Sequence, residues 1–264
     1  MFIVWGRKPV YRKLGYVADF CTICRCPRPF AVRRIGMAGH VYYITAGEGE
    51  LVGFDRTCEE CGTSYRADPN SYKSIAKKRG PVGSLIGETF PNLAEVWSER
   101  IALEAKVTHG VASLTSEERV ALVREPFLRL SPKVEARFAS THFDKEVGFA
   151  ALGALALLVV GPAFAEAFMP DQQDAMFLTS LSLGVLLVIW QIAVSGRRYL
   201  RRQILPTLAI ALKPLDPSES ELNAILLELK AHGHKIGSKL RAHEVSAYLA
   251  SEVSGKRDSL LSEG

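Results

Sequence analysis

Cysteine is scarce and confined. The chain has five, all between Cys21 and Cys61, in 264 residues. An odd number crowded into one stretch excludes the disulfide framework of a secreted scaffold and points to thiols in a reducing compartment. Charge of either sign is missing from two runs, residues 147–165 and 175–196, and no Lys or Arg occurs between Lys145 and Arg197. A secretory leader is not expected, because Met1–Trp5 is apolar but short and Arg7 and Lys8 follow it. Catalytic constellations are also missing. Ser74-Ile75-Ala76-Lys77 has the S-x-x-K spacing without its companion motifs. Gly47-x-Gly49 has its third glycine displaced to Gly53 and a cysteine pair after it instead of a helix, which excludes a dinucleotide site. Enzymatic activity is therefore not expected.

The two charge-free runs organise the chain. At 1.5 Å rise per residue they reach about 28 and 33 Å, enough to cross a hydrocarbon core of about 30 Å. A buried helix pair would keep a polar stripe, and neither run has one; Val185–Trp190 is apolar all round, with Trp190 placed as an interface anchor. Residues 147–196 are therefore read as a transmembrane helical hairpin, kinked near Gly161-Pro162. Small residues at four-residue spacing, Ala150/Ala154 and Ser180/Gly184, allow close approach of the two helices. Glu166, Asp171 and Asp174 mark the connection, whereas Arg197, Arg198, Arg201 and Arg202 follow the second run. The positive-inside rule then places both termini in the cytoplasm. A transporter is disfavoured, since neither run carries an ionisable residue.

Charge is uneven along the chain. Residues 1–80 hold 14 Lys and Arg against 7 Asp and Glu, although the whole chain is only +5. Such a basic segment suits an anionic lipid surface, nucleic acid or an acidic protein patch. Within it lie Cys21-Thr22-Ile23-Cys24 and Cys58-Glu59-Glu60-Cys61. A two-residue gap lets both sulfurs of a tight turn reach one ion at about 2.3 Å, and two such turns supply a tetrahedral set suited first to Zn2+ and second to iron. A Cys₄ set leaves no open coordination position, so a structural metal is expected. Thioredoxin-type redox chemistry would need a pair opening a helix in a βαβ unit, which is not present here. Phe30–Ile35 and Val41–Thr45 read as strands between the pairs. His40 is a fifth candidate ligand, more simply a turn residue.

Val4-Trp5-Gly6, the two cysteine pairs, the strands between them and Cys61-Gly62-Thr63-Ser64-Tyr65 resemble the small bacterial zinc-ribbon proteins, over residues 1–66 only. The resemblance implies a zinc ribbon with Cys21, Cys24, Cys58 and Cys61 as ligands in a bacterial protein. The first knuckle departs from the family: Arg25 stands where glycine is usual, and Cys26 adds a thiol able to replace Cys21 or Cys24. No biochemical activity of the family carries over.

Residues 67–87 read as a linker bearing Lys73, Lys77, Lys78 and Arg79. A helix over Leu93–Lys106, another from the Thr115/Glu118 capping box through Leu130, and a third opened by Ser131-Pro132 complete a cytoplasmic segment, 67–146. After the hairpin, Leu200, Ile204, Leu208 and Leu212 repeat every four residues as an interfacial helix broken near Pro206 and Pro214. Ser218 and Glu221 cap a helix with Leu222, Ile225, Leu226 and Leu229 on its apolar face, stopped near Gly233. His232 and His234 read as that helix end, not as a ligand pair. A last helix from Ser238 brings the amphipathic arm to 197–253, and 254–264 reads as a disordered tail.

The expected fold class is a multi-part membrane protein: an N-terminal β-rich zinc ribbon, cytoplasmic helices, a two-helix transmembrane hairpin and C-terminal short helices. The expected role is non-enzymatic: a ribbon held at the bacterial inner membrane for protein interaction or scaffolding, as a homo-oligomer or with another protein. A membrane-tethered nucleic-acid-binding ribbon and an iron-loaded, rubredoxin-like redox module are the alternatives.

Overall fold

A computed structural model describes residues 5–41, 44–45, 47–139, 144–168 and 173–261. The chain divides into two compact units, one of Met1–Pro126 with Ile210–Asp216, the other of Phe127–Ala209 with Pro217–Gly264.

The first unit is built on an antiparallel sheet in the order β1-β2-β4-β5: β1 Trp5–Cys21, β2 Cys26–Val41, β4 Glu50–Cys58 and β5 Ser64–Arg66. The two-residue β3, Ile44–Thr45, pairs with β2 off this path. The β1–β2 ladder runs from Trp5↔Val41 to Cys21↔Cys26, with a bulge between Lys13 and Gly15. Its outer part is an exposed charged arm. Arg12 faces Arg34 and Lys13 faces Arg33 across the strands, pairings that would repel. Acidic neighbours offset them: Glu48 pairs with Arg12 and Arg34, and Asp55 takes both a 3.0 Å and a 2.7 Å hydrogen bond from Arg33.

Beyond the bulge, β1 is buried on both faces from Val17 to Cys21. On one side lie Ala76 and Leu85; on the other, Phe30, Val32, Tyr72, Phe90, Leu93 and Ala211 close the main core. The stretch read as a linker is therefore packed structure. Tyr72, Ala76 and Leu85 are buried, Ala76 exchanges backbone hydrogen bonds with Tyr16, and Val82–Thr89 forms helix α1. The helix expected over Leu93–Lys106 is two helices, α2 (Leu93–Val96) and α3 (Ser98–His109), broken at Trp97. The break lets the Trp97 ring stack on Phe20 at 5.3 Å while its Nε1 donates to Asp19 at 3.0 Å.

Asp19 is a carboxylate sealed in this core, 1% exposed. It accepts from Trp97, from Tyr72 Oη at 2.6 Å and from the Phe20 amide at 2.6 Å, and pairs with Arg56 at 2.5 Å. A buried charge is tolerated only when satisfied in this way.

Helix α4 is continuous over Ser116–Ala139, opened by the Thr115/Glu118 capping box. No second helix starts at Ser131: its hydroxyl is engaged with Glu135 at 2.9 Å and His234 at 3.0 Å, not with an amide as a cap.

In the second unit, α5 (Lys145–Phe168, with Pro162 inside it) and α6 (Gln173–Tyr199) are each long and apolar enough to cross a membrane. Their apolar surface is exposed, with Phe149 at 72% and Val159 at 71%, unlike a core helix. They touch where side chains are smallest. A Cβ on Gly184 would lie 3.0 Å from that of Ala154, and one on Gly161 would lie 2.2 Å from Ser180 Oγ. A π-turn, Leu200–Ile204, leads into α7, Leu205–Leu212. The expected interfacial helix is corrected here: Leu200, Ile204, Leu208 and Leu212 are all buried in protein, and the helix passes through Pro206.

Helix α8 (Glu219–Ala231) carries the Ser218/Glu221 capping box and buries Leu222, Ile225, Leu226 and Leu229. Then come α9 (Lys235–Lys239) and α10 (Ala242–Leu261). The tail expected from 254 falls on the last part of α10, which runs to Leu261; residues 262–264 lie outside the described residues.

Candidate metal centre

Each cysteine pair occupies the turn of a β-hairpin. Cys21 ends β1, Cys26 opens β2, and the turn between them holds Cys24 and Arg25. The Arg25 amide donates to the Cys21 carbonyl at 2.7 Å, and the Cys24 amide to Cys21 Sγ at 3.4 Å. The second turn repeats the design between β4 and β5: the Gly62 amide donates to the Cys58 carbonyl at 3.0 Å, with Gly62 at φ +66°. The sheet register brings the turns together by pairing Phe30 with Cys58.

Cys21, Cys24, Cys58 and Cys61 thereby converge, all four Sγ atoms within 4.8 Å of one another. Cys21 and Cys61 sulfurs are 3.6 Å apart, and those of Cys24 and Cys58 3.9 Å. Four sulfurs at about 2.3 Å from one tetrahedral centre are separated by about 3.8 Å, so the donor set fits a thiolate-bound metal. All five cysteines are free thiols, and these separations are far beyond the length of a disulfide. Cys26 faces Cys21 across the ladder and stands outside the convergent set. His40 pairs with Gly6 near the far end of the ladder from Cys21, remote from the cluster.

The sulfurs titrate as a group. Hydrogen bonds from Cys21, Cys24 and Cys58 hold Cys61 far below the ordinary thiol range, and those from Cys21 and Cys24 bring Cys58 down to about 7. Cys24 is driven up by its bonds to Cys21, Cys58 and Cys61. Cys21 is pulled down by Cys24 but raised overall by Cys58, Cys61 and burial.

Arg25 was visible in the sequence only as a departure from glycine. It sits at φ +61°, the left-handed region where glycine is ordinarily favoured. Its side chain is 7% exposed, donates from Nε to Glu104 at 2.7 Å and from Nη1 to the Ala211 carbonyl at 3.2 Å. Glu104 also takes Arg100 at 2.9 Å, and Arg100 reaches Glu125 at 2.5 Å. The first knuckle is thus tied by an ionic chain to α3, α4 and the 210–216 segment. Glu59 and Glu60, between the second pair, are exposed and face Arg79. Ser74 donates to the Glu88 carbonyl, and His232 and His234 belong to the end of α8 and the contact with α4, so none of these joins a site.

The chain defines a four-cysteine centre on two hairpin turns of an antiparallel sheet, carried with two helices of membrane-crossing length. Compared with protein-family models, with curated proteins and with solved structures, it matches none.

Proposed function

We propose that this is a membrane-anchored zinc-ribbon protein, in which Cys21, Cys24, Cys58 and Cys61 hold one structural Zn2+. The ribbon serves as a non-enzymatic module for protein interaction or scaffolding at the inner membrane of a bacterium. The observation that carries this reading is the cluster of four cysteine sulfurs, all within 4.8 Å of one another, on one chain with two exposed apolar helices. Four thiolates fill the coordination of zinc, so the ion supplies fold and rigidity. Helices α5 and α6 cross the bilayer as a hairpin, and the arginines at the end of α6 and just beyond it keep both termini in the cytoplasm.

The test is metal content of the full chain purified anaerobically in detergent, beside Cys58→Ser and Cys26→Ser. One zinc per chain, lost in Cys58→Ser and kept in Cys26→Ser, supports the proposal. Iron with sulfur-to-iron absorption would turn it towards electron transfer, and no metal in a folded chain would end it. Membrane insertion is tested separately, by protease access to each terminus in sealed vesicles. Nucleic-acid binding is the second reading, favoured by the arm of Arg7, Lys8, Arg12 and Lys13 on β1. It requires a salt-sensitive shift with DNA or RNA that Arg12→Gln with Lys13→Gln weakens.

A further inference from the structure

The arginines in the last turn of α6 and in the π-turn that follows divide into two kinds. Arg198 is consumed internally, donating to Gln191 Oε1 at 2.5 Å and pairing with Asp144 at 3.3 Å, and Arg202 pairs with Glu146. Arg197 and Arg201, one turn apart, have no ion pair among the described residues. Both line a pocket of about 250 Å³ that lies wholly within the second unit.

Lys239 and Arg241 line the same pocket, so four cations from two stretches of the chain share it with one carboxylate, Glu244. The Lys239 ammonium lies 5.2 Å from the centre of the Phe138 ring. Phe138, Ala193, Gly196, Leu200, Leu205 and Leu240 supply the apolar wall. A Cβ on Gly196 would come within 2.7 Å of the Phe138 ring, so glycine is what admits that wall.

Like charges at i and i+4 repel, and two more cations opposite them add to the cost. Such an arrangement is stabilised by an anion that several cations share, and guanidinium pairs suit the oxygens of a phosphate. Depth adds to the argument. The pocket begins where the charge-free run of α6 ends, at Gly196-Arg197, which is headgroup level if α6 spans a membrane. The apolar wall beside the cations then suits the glycerol and first acyl carbons of a lipid.

We propose that this pocket binds a phosphate group, presented by an anionic lipid headgroup or by free phosphate. The lipid source rests on the membrane reading above; the phosphate chemistry does not. The test uses the full chain, the Arg197→Gln/Arg201→Gln variant, and Lys133→Gln/Lys213→Gln, two exposed positions outside the pocket, as a control of equal charge loss. In nanodiscs of phosphatidylcholine with phosphatidylglycerol, bound lipid is counted by native mass spectrometry. In uncharged detergent, inorganic phosphate is titrated against thermal stability.

Retention of phosphatidylglycerol, weakened about thirtyfold in Arg197→Gln/Arg201→Gln and unchanged in the control, supports the site with a lipid source. Stabilisation by inorganic phosphate alone, lost in the same variant, supports it with a free source. No preference for either ligand, or equal binding by variant and wild type, overturns it. A chain that fails to enter nanodiscs refutes the membrane reading and leaves the phosphate arm to decide.

Discussion

Replacing Asp19 with alanine is expected to destabilise the first unit by about 3–5 kcal/mol, the cost of stranding a buried partner charge. The magnitude follows from what the carboxylate holds. Arg56, its side chain 15% exposed, loses its acidic partner, and Tyr72 Oη and Trp97 Nε1 lose an acceptor in the core. Tyr72→Phe removes one donor and leaves the carboxylate with three, so about 1 kcal/mol is expected. Arg56→Met leaves Asp19 uncompensated and should match Asp19→Ala, whereas the double variant should cost less than the sum of the two. All five cysteines lie in this unit, so pulsed thiol labelling against urea, at fixed free metal, reads its opening without interference from the rest of the chain. With a slope of about 2 kcal/mol per molar urea, Asp19→Ala should lower the midpoint by about 2 M. If it moved the midpoint no further than Tyr72→Phe, Asp19 would not be the charge that holds this core.

Three further outcomes are expected. Arg25→Gly should be less harmful than Arg25→Ala by about 1 kcal/mol, because both lose Glu104 but only alanine keeps the left-handed strain; the same labelling assay measures it. Gly184→Leu should drive α5 and α6 apart at Ala154, lowering the melting temperature of the detergent-solubilised chain, while Gly153→Leu, with open space at its Cβ, should leave it unchanged. His234 chiefly, then Ser131, holds the Glu135 carboxyl below its ordinary range. A lowered folded value makes that stabilisation present above the unfolded value, about 4.3, and lost as pH falls through the folded one. Glu135→Gln should therefore lower stability at pH 7 and flatten the profile below about pH 4.5, where the parent chain loses the same contribution.

The four-cysteine cluster was legible because its signal is local: a two-residue gap between thiols has few other uses, and it named Cys21, Cys24, Cys58 and Cys61. The apolar runs were legible for a similar reason, since a charge-free stretch of membrane length carries its meaning without a partner. The capping boxes at Thr115 and Ser218 were equally self-contained. What escaped depends on residues far apart. Strand β1 went unread because its outer half carries charge on both faces and its inner half is buried on both, so neither part alternates. The segment 67–87 looked like a linker because its lysines hide three widely spaced core residues, Tyr72, Ala76 and Leu85. Nothing near Asp19 announces that Arg56, Tyr72 and Trp97 will meet it, and the acceptors of Arg25 lie 79 and 186 residues away.

That last separation bears on the order of events during synthesis. Ala211, whose carbonyl receives Arg25, also belongs to the core around the knuckles, and Ile210–Asp216 is counted with the first unit. A ribosome reaches this segment only after making both long apolar helices. The N-terminal core therefore waits, its cysteines already emerged, until the rest of α6 has been made. A fragment ending at Pro126 would stay in that waiting state indefinitely.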